Sequence, residues 1–377
     1  MGSKHIVLAG GGHVHLGALV HADQFVRQGH RLTLVTPGPF HYYSGMGPGM
    51  LGGTYEPRDL WFNVEKTAKD RGAEVVFGRV TAVEAQNRSL VLASGQRLEY
   101  DIASLNLGSE IPGSEKFSPD SGIFPVKPID NLLAARHALD RALKLKSGSP
   151  RVVVVGGGPA GAELCGNILK RILDQGGKPQ VILAAGGQLL QGYPDKARRL
   201  VLKSLTSRGA EIIQGPLARD IAPGRVGLED GRSLEADLIF LAWGTRAPRL
   251  LAESGLPVSE DGSLLVNRHL QSVGHPELFG GGDCVTLSDR RLDKVGVYAV
   301  RENPVLWQNL LAKAEGRPLI SFDPGGAYLL IFNLGDGRGI LRRKDLVLSG
   351  RALFRFKDWL DRRFVRRFQV SGEAVDS

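Results

Sequence analysis

Apolar residues in this chain fall into two alternating patterns: short β-branched runs, and longer stretches in which apolar positions return at helical spacing. That alternation predicts parallel α/β layers. The first unit reads as a strand at 4–9, a helix over about 13–28 and a strand at 31–35. A loop rich in Gly, Pro and aromatic residues then runs from Thr36 to Gly53. Segments near 74–84, 89–93 and 97–99 alternate apolar and polar residues around Asn87 and Ser94-Gly95, which predicts a β-meander. Asp101 to Leu107 follows as a further buried strand.

The same landmarks then recur. A helix over Ile129 to Leu145 and a break at Ser147-Gly148-Ser149-Pro150 lead into a strand and glycine turn at 152–158. A helix to about Asp174, a strand at 179–184, a helix near 194–208 and strands near 211 and 225 come next. Ala236 to Thr245 parallels Asp101 to Ser109, each with an acid, an apolar strand, a glycine and a hydroxyl residue. The repeat predicts two equivalent nucleotide domains. The chain returns to the first of them at His275 to Asp283, so the second is an insertion. The predicted division is 1–112, 113–246, 247–315 and 316–377. The last part reads as a small sheet with a turn at Gly335-Asp336-Gly337 and a helix from about Ala352 to Phe368.

Composition narrows this picture at three points. The 377 residues suffice for two or three separate cores. Two cysteines, Cys165 and Cys284, exclude a disulfide framework, and no CxxC pair is present, so buried structural thiols are the expectation. No apolar run approaches the roughly 18 residues of a membrane span.

Net charge is +9, and the segment from Arg338 to Phe368 holds eleven Lys or Arg against three Asp. That segment alone is +8, which leaves the rest of the chain at +1. A basic end on a neutral body predicts docking to an anionic partner, a lipid surface or a nucleic acid. Within it, Leu353, Phe356, Leu360, Phe364 and Phe368 recur at helical spacing, beside Phe354 and Trp359, among Arg355, Arg362, Arg363, Arg366 and Arg367. Such a helix fits a membrane interface, with Lys357 and Arg367 snorkelling. Packing on its own domain, or a dimer contact, is the alternative.

The chemistry lies in the glycine turns. Ile6 to Ala9 runs into Gly10-Gly11-Gly12-His13, and Val152 to Val155 runs into Gly156-Gly157-Gly158-Pro159-Ala160-Gly161. A strand, a glycine turn and a helix start present bare backbone N–H groups and a positive helix end to a pyrophosphate. Two such turns suggest two dinucleotides face to face, the arrangement for hydride transfer between a nicotinamide and a flavin. Gly156, Gly158 and Gly161 fit the fingerprint in full, whereas His15 takes its third position in the first turn. Thr36 and Ala185 stand where an acid would bind ribose. No Arg is near Ala185 in sequence, so NADH against NADPH stays open. Glu163 falls on the first turn of its helix, where the helix dipole or the cofactors explain it about equally well.

As a set, these turns, repeats and the late Gly281-Gly282-Asp283 resemble the two-dinucleotide-domain flavoproteins of the pyridine nucleotide-disulfide oxidoreductase superfamily. Gly10 to His15, Tyr43-Ser44-Gly45-Met46 and the tail from Lys357 to Phe368 are most similar to the type II NADH dehydrogenases and to the flavoprotein domain fused to selenide, water dikinase. The resemblance implies an FAD site at Gly10, Gly11, Gly12, His13, Thr36, Ser44, Val80, Gly108, Gly282, Asp283 and Val297, with Asp283 on the ribitol. It implies an NAD(P)H site at Gly156, Gly158, Pro159, Ala160, Gly161, Glu163 and Gly244. Glu163, Tyr298 and Lys294 are the implied catalytic groups; Lys294, Lys127 and Arg301 are either flavin-edge cations or solvated surface charges. His41, Tyr42 and Tyr43 line the flavin or adenine, or simply pack.

The expected function is therefore an FAD enzyme that passes electrons from NAD(P)H to a quinone or another small acceptor, working at the inner face of a membrane from the cytoplasm. Alternatives are a sulfide- or selenium-linked oxidoreductase, an electron-transfer module for a protein partner, and a redox sensor. A homodimer is compatible with each, and nucleic acid is not the expected partner.

Overall fold

The β-branched runs become strands buried on both faces, as apolar runs without alternation should. The computed structural model describes residues 2–145 and 149–373, and Ser147 and Gly148 of the expected break lie outside them. Two five-stranded parallel sheets form. The first has the order Leu278–Gly280, Ile102–Leu105, His5–Ala9, Arg31–Thr36, Glu74–Phe77. The second has the order Ile123–Pro125, Leu238–Leu241, Arg151–Val155, Gln180–Ala184, Ala210–Ile213. In both, the strand that feeds the glycine turn is central. The first sheet takes its edge strand from the returning chain at 278–280, while the second takes its own from 123–125, ahead of its turn.

Each sheet carries an antiparallel meander, Val80–Glu84 with Ser89–Leu92 and Arg97–Glu99 in one, Ala218–Ala222 with Arg225–Leu228 and Ser233–Glu235 in the other. The expected single segment at 74–84 is in fact two strands. Glu74–Phe77 completes the parallel sheet, and Gly78 turns the chain by donating its N–H to Thr36 O at 3.0 Å.

Two other expectations are corrected. The helix expected over 13–28 starts at Leu16 and is interrupted at His21, giving Leu16–Val20 and Ala22–Arg27. The His21 ring lies 4.3 Å from that of Trp307, which holds the break in place. The region 36–53 is not wholly loop: Phe40–Tyr42 pairs with Trp61–Asn63, and Gly47–Leu51 is a short helix with Pro48 in its first turn.

Three joints fix the parts. Glu110 and Arg246, which follow equivalent strands of the two sheets, exchange two backbone hydrogen bonds of 3.0 Å and an ion pair of 2.8 Å. Arg136, buried on the helix Asn131–Leu145, donates to Tyr55 O at 3.1 Å and to the Glu56 carboxylate at 2.9 Å. The helix Pro159–Asp174 meets the C-terminal region at Gly166, where a Cβ would stand 2.4 Å from Leu334 O.

That C-terminal region is an antiparallel sheet of Leu330–Asn333, Gly339–Arg343 and Leu346–Gly350, turned at Gly335 and Gly337, both with positive φ. The helix Arg351–Phe368 lies across it. Their close approach needs Gly339, whose Cβ would fall 2.7 Å from Phe354 N and 2.8 Å from Leu353 C. Gly339→Val should therefore lift this helix and cost about 1–3 kcal/mol. Chemical denaturation checks this, and a variant as stable as the parent refutes the contact.

Candidate functional site

Both glycine turns are built the same way. Gly10 (φ +95°) and Gly156 (φ +128°) end their strands, and a Cβ on either would strike a backbone carbonyl, Asn106 O at 2.3 Å or Ala242 O at 2.2 Å. Among the described residues no backbone carbonyl takes the N–H groups of Gly11, Gly12, Gly157 or Gly158. Those are the donors a pyrophosphate requires. In the second turn Gly158 caps the helix, Pro159 and Ala160 open it, and a Cβ on Gly161 would stand 1.9 Å from Gly156 O.

His15 solves the same packing problem in the first turn by a different bond. Its ring is fully buried, with Nδ1 at 2.6 Å from Gly10 O and Nε2 at 2.8 Å from Ser104 Oγ. Burial lowers its pKa to about 4, so the ring is neutral. A carbonyl only accepts, so Nδ1 carries the proton and Nε2 accepts from the Ser104 hydroxyl. The missing glycine is thus replaced by a hydrogen-bonded bridge from turn to sheet.

Around this turn lies a polar shell that fits FAD. The Gly12 position is overlooked by Asn106 Oδ1, a buried oxygen with no partner, while Asn106 Nδ2 donates to Gly281 O at 2.8 Å. Asp283 accepts from Ser109 Oγ at 2.8 Å and from Lys127 Nζ at 3.2 Å. Burial works against its ionisation, but Lys127 and Ser109 more than offset this and hold its carboxyl below the usual range. Gly282 (φ +76°) donates its N–H to Glu302 Oε2, whose pKa burial raises to about 7. Thr36 spends its proton on Gly38 O at 2.9 Å, which leaves its oxygen free to accept from a ribose hydroxyl. Val80 opens the meander strand just past that point. Gly108 and Gly244 occupy equivalent places with φ of +69° and +108°, and a Cβ on either would meet open space.

His13 forms the aromatic side of the same site. Ser44 N donates to its Nε2 at 3.4 Å, so its Nδ1 donates to His41 Nε2 at 3.1 Å. Burial brings its pKa to about 4. Its ring lies 5.3 Å from Tyr43 and 6.1 Å from Phe364 of the C-terminal helix. Ser44 also faces the start of the long helix Gly296–Ala314, where Val297 lies and a Cβ on Gly296 would stand 3.4 Å from Ser44 Oγ.

The proposed catalytic groups separate. Glu163 sits on the second turn of its helix, so the helix-end explanation falls away, and its carboxylate accepts from Asn333 N at 2.7 Å. Burial raises its pKa to about 7 against the opposing pull of Lys357. Lys357 bonds Gly45 O at 2.8 Å and Asp361 at 2.5 Å, and Asp361 accepts from Tyr43 OH at 3.1 Å. Lys357 therefore points inward and does not snorkel. The i,i+4 spacing of Lys357 and Asp361 was the available signal for this pair.

Lys294 is tied to Ser263 Oγ at 2.5 Å, Asp283 O at 2.7 Å and Asp261 at 3.4 Å. Its ammonium thus bridges the Asp283 turn to the turn at Asp261 and Ser263. Tyr298 packs its ring 5.8 Å from that of Tyr328. Arg301 reaches out to Pro324 O and Gly326 O. The cysteines are buried and unpaired. Burial pushes Cys165 to about 12 and Cys284 to about 11, and the Cys284 thiol faces Leu105 O and Gly281 O.

Beyond the second turn lies a cavity of about 320 Å³ lined by Gly156 and Ala185. Its wall also carries Lys116 and Arg219, which sequence distance concealed.

The pyridine nucleotide-disulphide oxidoreductase profile matches residues 4–314. Human ferroptosis suppressor protein 1 is 26% identical over 351 residues, covering 90% of this chain and 88% of the relative. The alternative NAD(P)H-ubiquinone oxidoreductase C1 of Arabidopsis thaliana is 29% identical over 267 residues, covering 62% of this chain and 50% of the relative. Among solved structures, NDH2 of Plasmodium falciparum in complex with NADH aligns with a TM-score of 0.80 at 14% identity, covering 99% of this chain and 98% of that one.

Glu163 supplies a test of this geometry. Between the ordinary Glu value of 4.5 and about 7, the folded state keeps a proton that the unfolded chain has lost, so this residue's contribution to stability falls as pH rises through that window. Glu163→Gln should match the parent in thermal melts at pH 5 and exceed it at pH 8. A difference that does not change with pH excludes the buried carboxylate.

Proposed function

The chain belongs to the pyridine nucleotide-disulphide oxidoreductase family, and from that premise we propose that it oxidises NAD(P)H and delivers two electrons to a quinone at a membrane surface. FAD and NAD(P)H are its cofactors, and it is an NAD(P)H dehydrogenase. The observation that carries the choice of acceptor is the absence of a usable thiol pair: both cysteines are buried with raised pKa values. A thiol relay needs an accessible thiolate and a partner within reach. The quinone relative from Arabidopsis supports the same reading.

Bound FAD supplies a carrier that takes hydride from the nicotinamide and releases two electrons to the acceptor. The chain's own groups do the rest. The turns at 10–13 and 156–161 hold the two pyrophosphates on backbone N–H groups, which orients the rings without chemistry. Asp283, kept ionised by Lys127 and Ser109, accepts from ribitol hydroxyls. The start of the helix at Gly296, with no acidic residue in its first turn, offers partial positive charge beside Ser44.

Reducing a quinone to a quinol consumes two protons, of which NAD(P)H brings one as hydride and solvent the other. Glu163, with a pKa near neutrality, is placed to hold that second proton. Lys357 next to it contributes positive charge towards developing quinol oxygen.

The C-terminal helix has two faces. Asp361, Val365 and Phe368 are buried against the FAD unit, while Phe356, Trp359 and Leu360 are 41%, 53% and 37% exposed. Arg363 lies 5.4 Å over the Trp359 ring, and Arg355, Arg366 and Arg367 are exposed nearby. Among the described residues no helix is long and apolar enough to cross a membrane. The outer face matches an interfacial helix with aromatics in the acyl boundary and arginines at phosphates.

Anaerobic NAD(P)H should bleach the flavin, and a quinone should restore its colour. Flavin that stays oxidised overturns the reading, and flavin that bleaches but ignores quinones overturns the acceptor. The double variant Phe356→Glu with Trp359→Glu should lose co-sedimentation with anionic lipid vesicles while keeping its flavin. Undiminished binding would move the contact elsewhere.

A further inference from the structure

The cavity beside Ala185 differs from an ordinary NADH site in its charges. In dinucleotide folds the end of the second strand carries an acid that binds the adenosine ribose hydroxyls and repels a 2′-phosphate. Here Gln180–Ala184 runs into Ala185 and Gly186, and all three of Ala184, Ala185 and Gly186 line the cavity without a carboxylate. Two remote segments close it: the turn Ser114–Lys116 brings Lys116, and the strand Ala218–Ala222 brings Arg219. No acidic residue lines this cavity among the described residues.

We propose that this cavity is a 2′-phosphate site, that Arg219 and Lys116 read the phosphate, and that the enzyme prefers NADPH over NADH. The inference rests on the reading of residues 151–241 as the nicotinamide-dinucleotide unit. Both cations are placed to be recruited. Lys116 Nζ lies 5.0 Å from the Phe117 ring centroid and makes no ion pair among the described residues. Arg219 bonds Glu229 at 2.7 Å, but the two side chains are 62% and 48% exposed. A pair so solvated is weakly held, and a phosphate dianion offers the guanidinium a bidentate partner of higher charge. Leu217 and Ile221 add apolar wall from the strand that carries Arg219 and from the residue before it, a surface for the purine.

The acid is absent and the cations come from outside the Rossmann fingerprint, which is why a local reading of the sequence leaves the coenzyme open. The cavity is also shallow in polar groups other than these two, so discrimination falls on them.

Calorimetry on the FAD-loaded protein with 2′,5′-ADP and with 5′-AMP isolates the phosphate, since the two probes differ by that group alone. Preference for 2′,5′-ADP by about tenfold or more is expected. Arg219→Ala and Lys116→Ala should each remove most of it, and Ala185→Asp should reverse it. Glu229→Gln, which frees Arg219, should enlarge it, so a gain of function guards against variants that merely misfold. The ratio of kcat/KM for NADPH over NADH should move with the binding ratio. Equal affinity for the two probes, or a preference that survives loss of both cations, overturns the inference while NADH bleaching of the flavin leaves the proposed function standing. If neither probe binds and neither coenzyme bleaches the flavin, the underlying reading falls, and the inference with it.

Discussion

A backbone carbonyl stands in each half of this molecule where a side chain would otherwise begin. Asn106 O faces Gly10 and Ala242 O faces Gly156, at 2.3 and 2.2 Å from the missing Cβ. Each of those carbonyls belongs to the end of the strand beside the turn. One methyl group at either glycine would drive neighbouring strands apart and rotate the N–H groups that a pyrophosphate needs. The positive φ values at Gly10 and Gly156 impose the same choice from the backbone side. Third positions differ because the two halves close the helix onto the turn differently: Gly161 lets Gly156 O approach, whereas His15 bonds Gly10 O with its ring. Either device fixes the carbonyl, so the two turns keep one purpose with unlike chemistry.

Much of this was legible from the chain. Runs such as Val152 to Val155 are long enough, and apolar enough, to name a buried parallel strand, and the glycine turns and the recurring acid-strand-glycine pattern gave both nucleotide units. Elements of three residues left no period to read, so the pairing of Phe40–Tyr42 with Trp61–Asn63 was hidden in a loop. Tertiary contacts overrode local pattern elsewhere, as at His21, where Trp307 meets a helix break. The site was legible where a motif sits in one stretch, at Gly10 to His13, Gly156 to Gly161 and Asp283. It was illegible where distant segments converge: Asn106 above Gly12, and Arg219 beside Ala185. Lys294 belongs with these, since its bonds to Ser263 and Asp261 come from a segment remote in sequence.

The C-terminal helix was legible as an element, but not which of its sides packs inward, because it is apolar on two sides. Periodicity alone gives one stripe, and here Phe364 and Phe368 meet Phe62 on the inner side while Phe356 and Trp359 stack 6.2 Å apart on the outer. Lys357, Asp361 and Tyr43 form a buried polar seam between them. One rigid element therefore carries both Lys357, whose charge opposes the upward shift of Glu163, and an exposed aromatic face.

The edge strand Leu278–Gly280 carries a cost in the order of synthesis. Asn106 finds its partner Gly281 only 175 residues later. The strands of the inserted unit all lie between Ile123 and Leu241, so that unit can close on itself while the first sheet still presents the bare rim of Ile102–Leu105. Unpaired rims are templates for strands of other molecules, and non-local pairing is slow. On the ribosome, then, the half that emerges first matures last, and in the interval it is the part of this protein most in need of a chaperone.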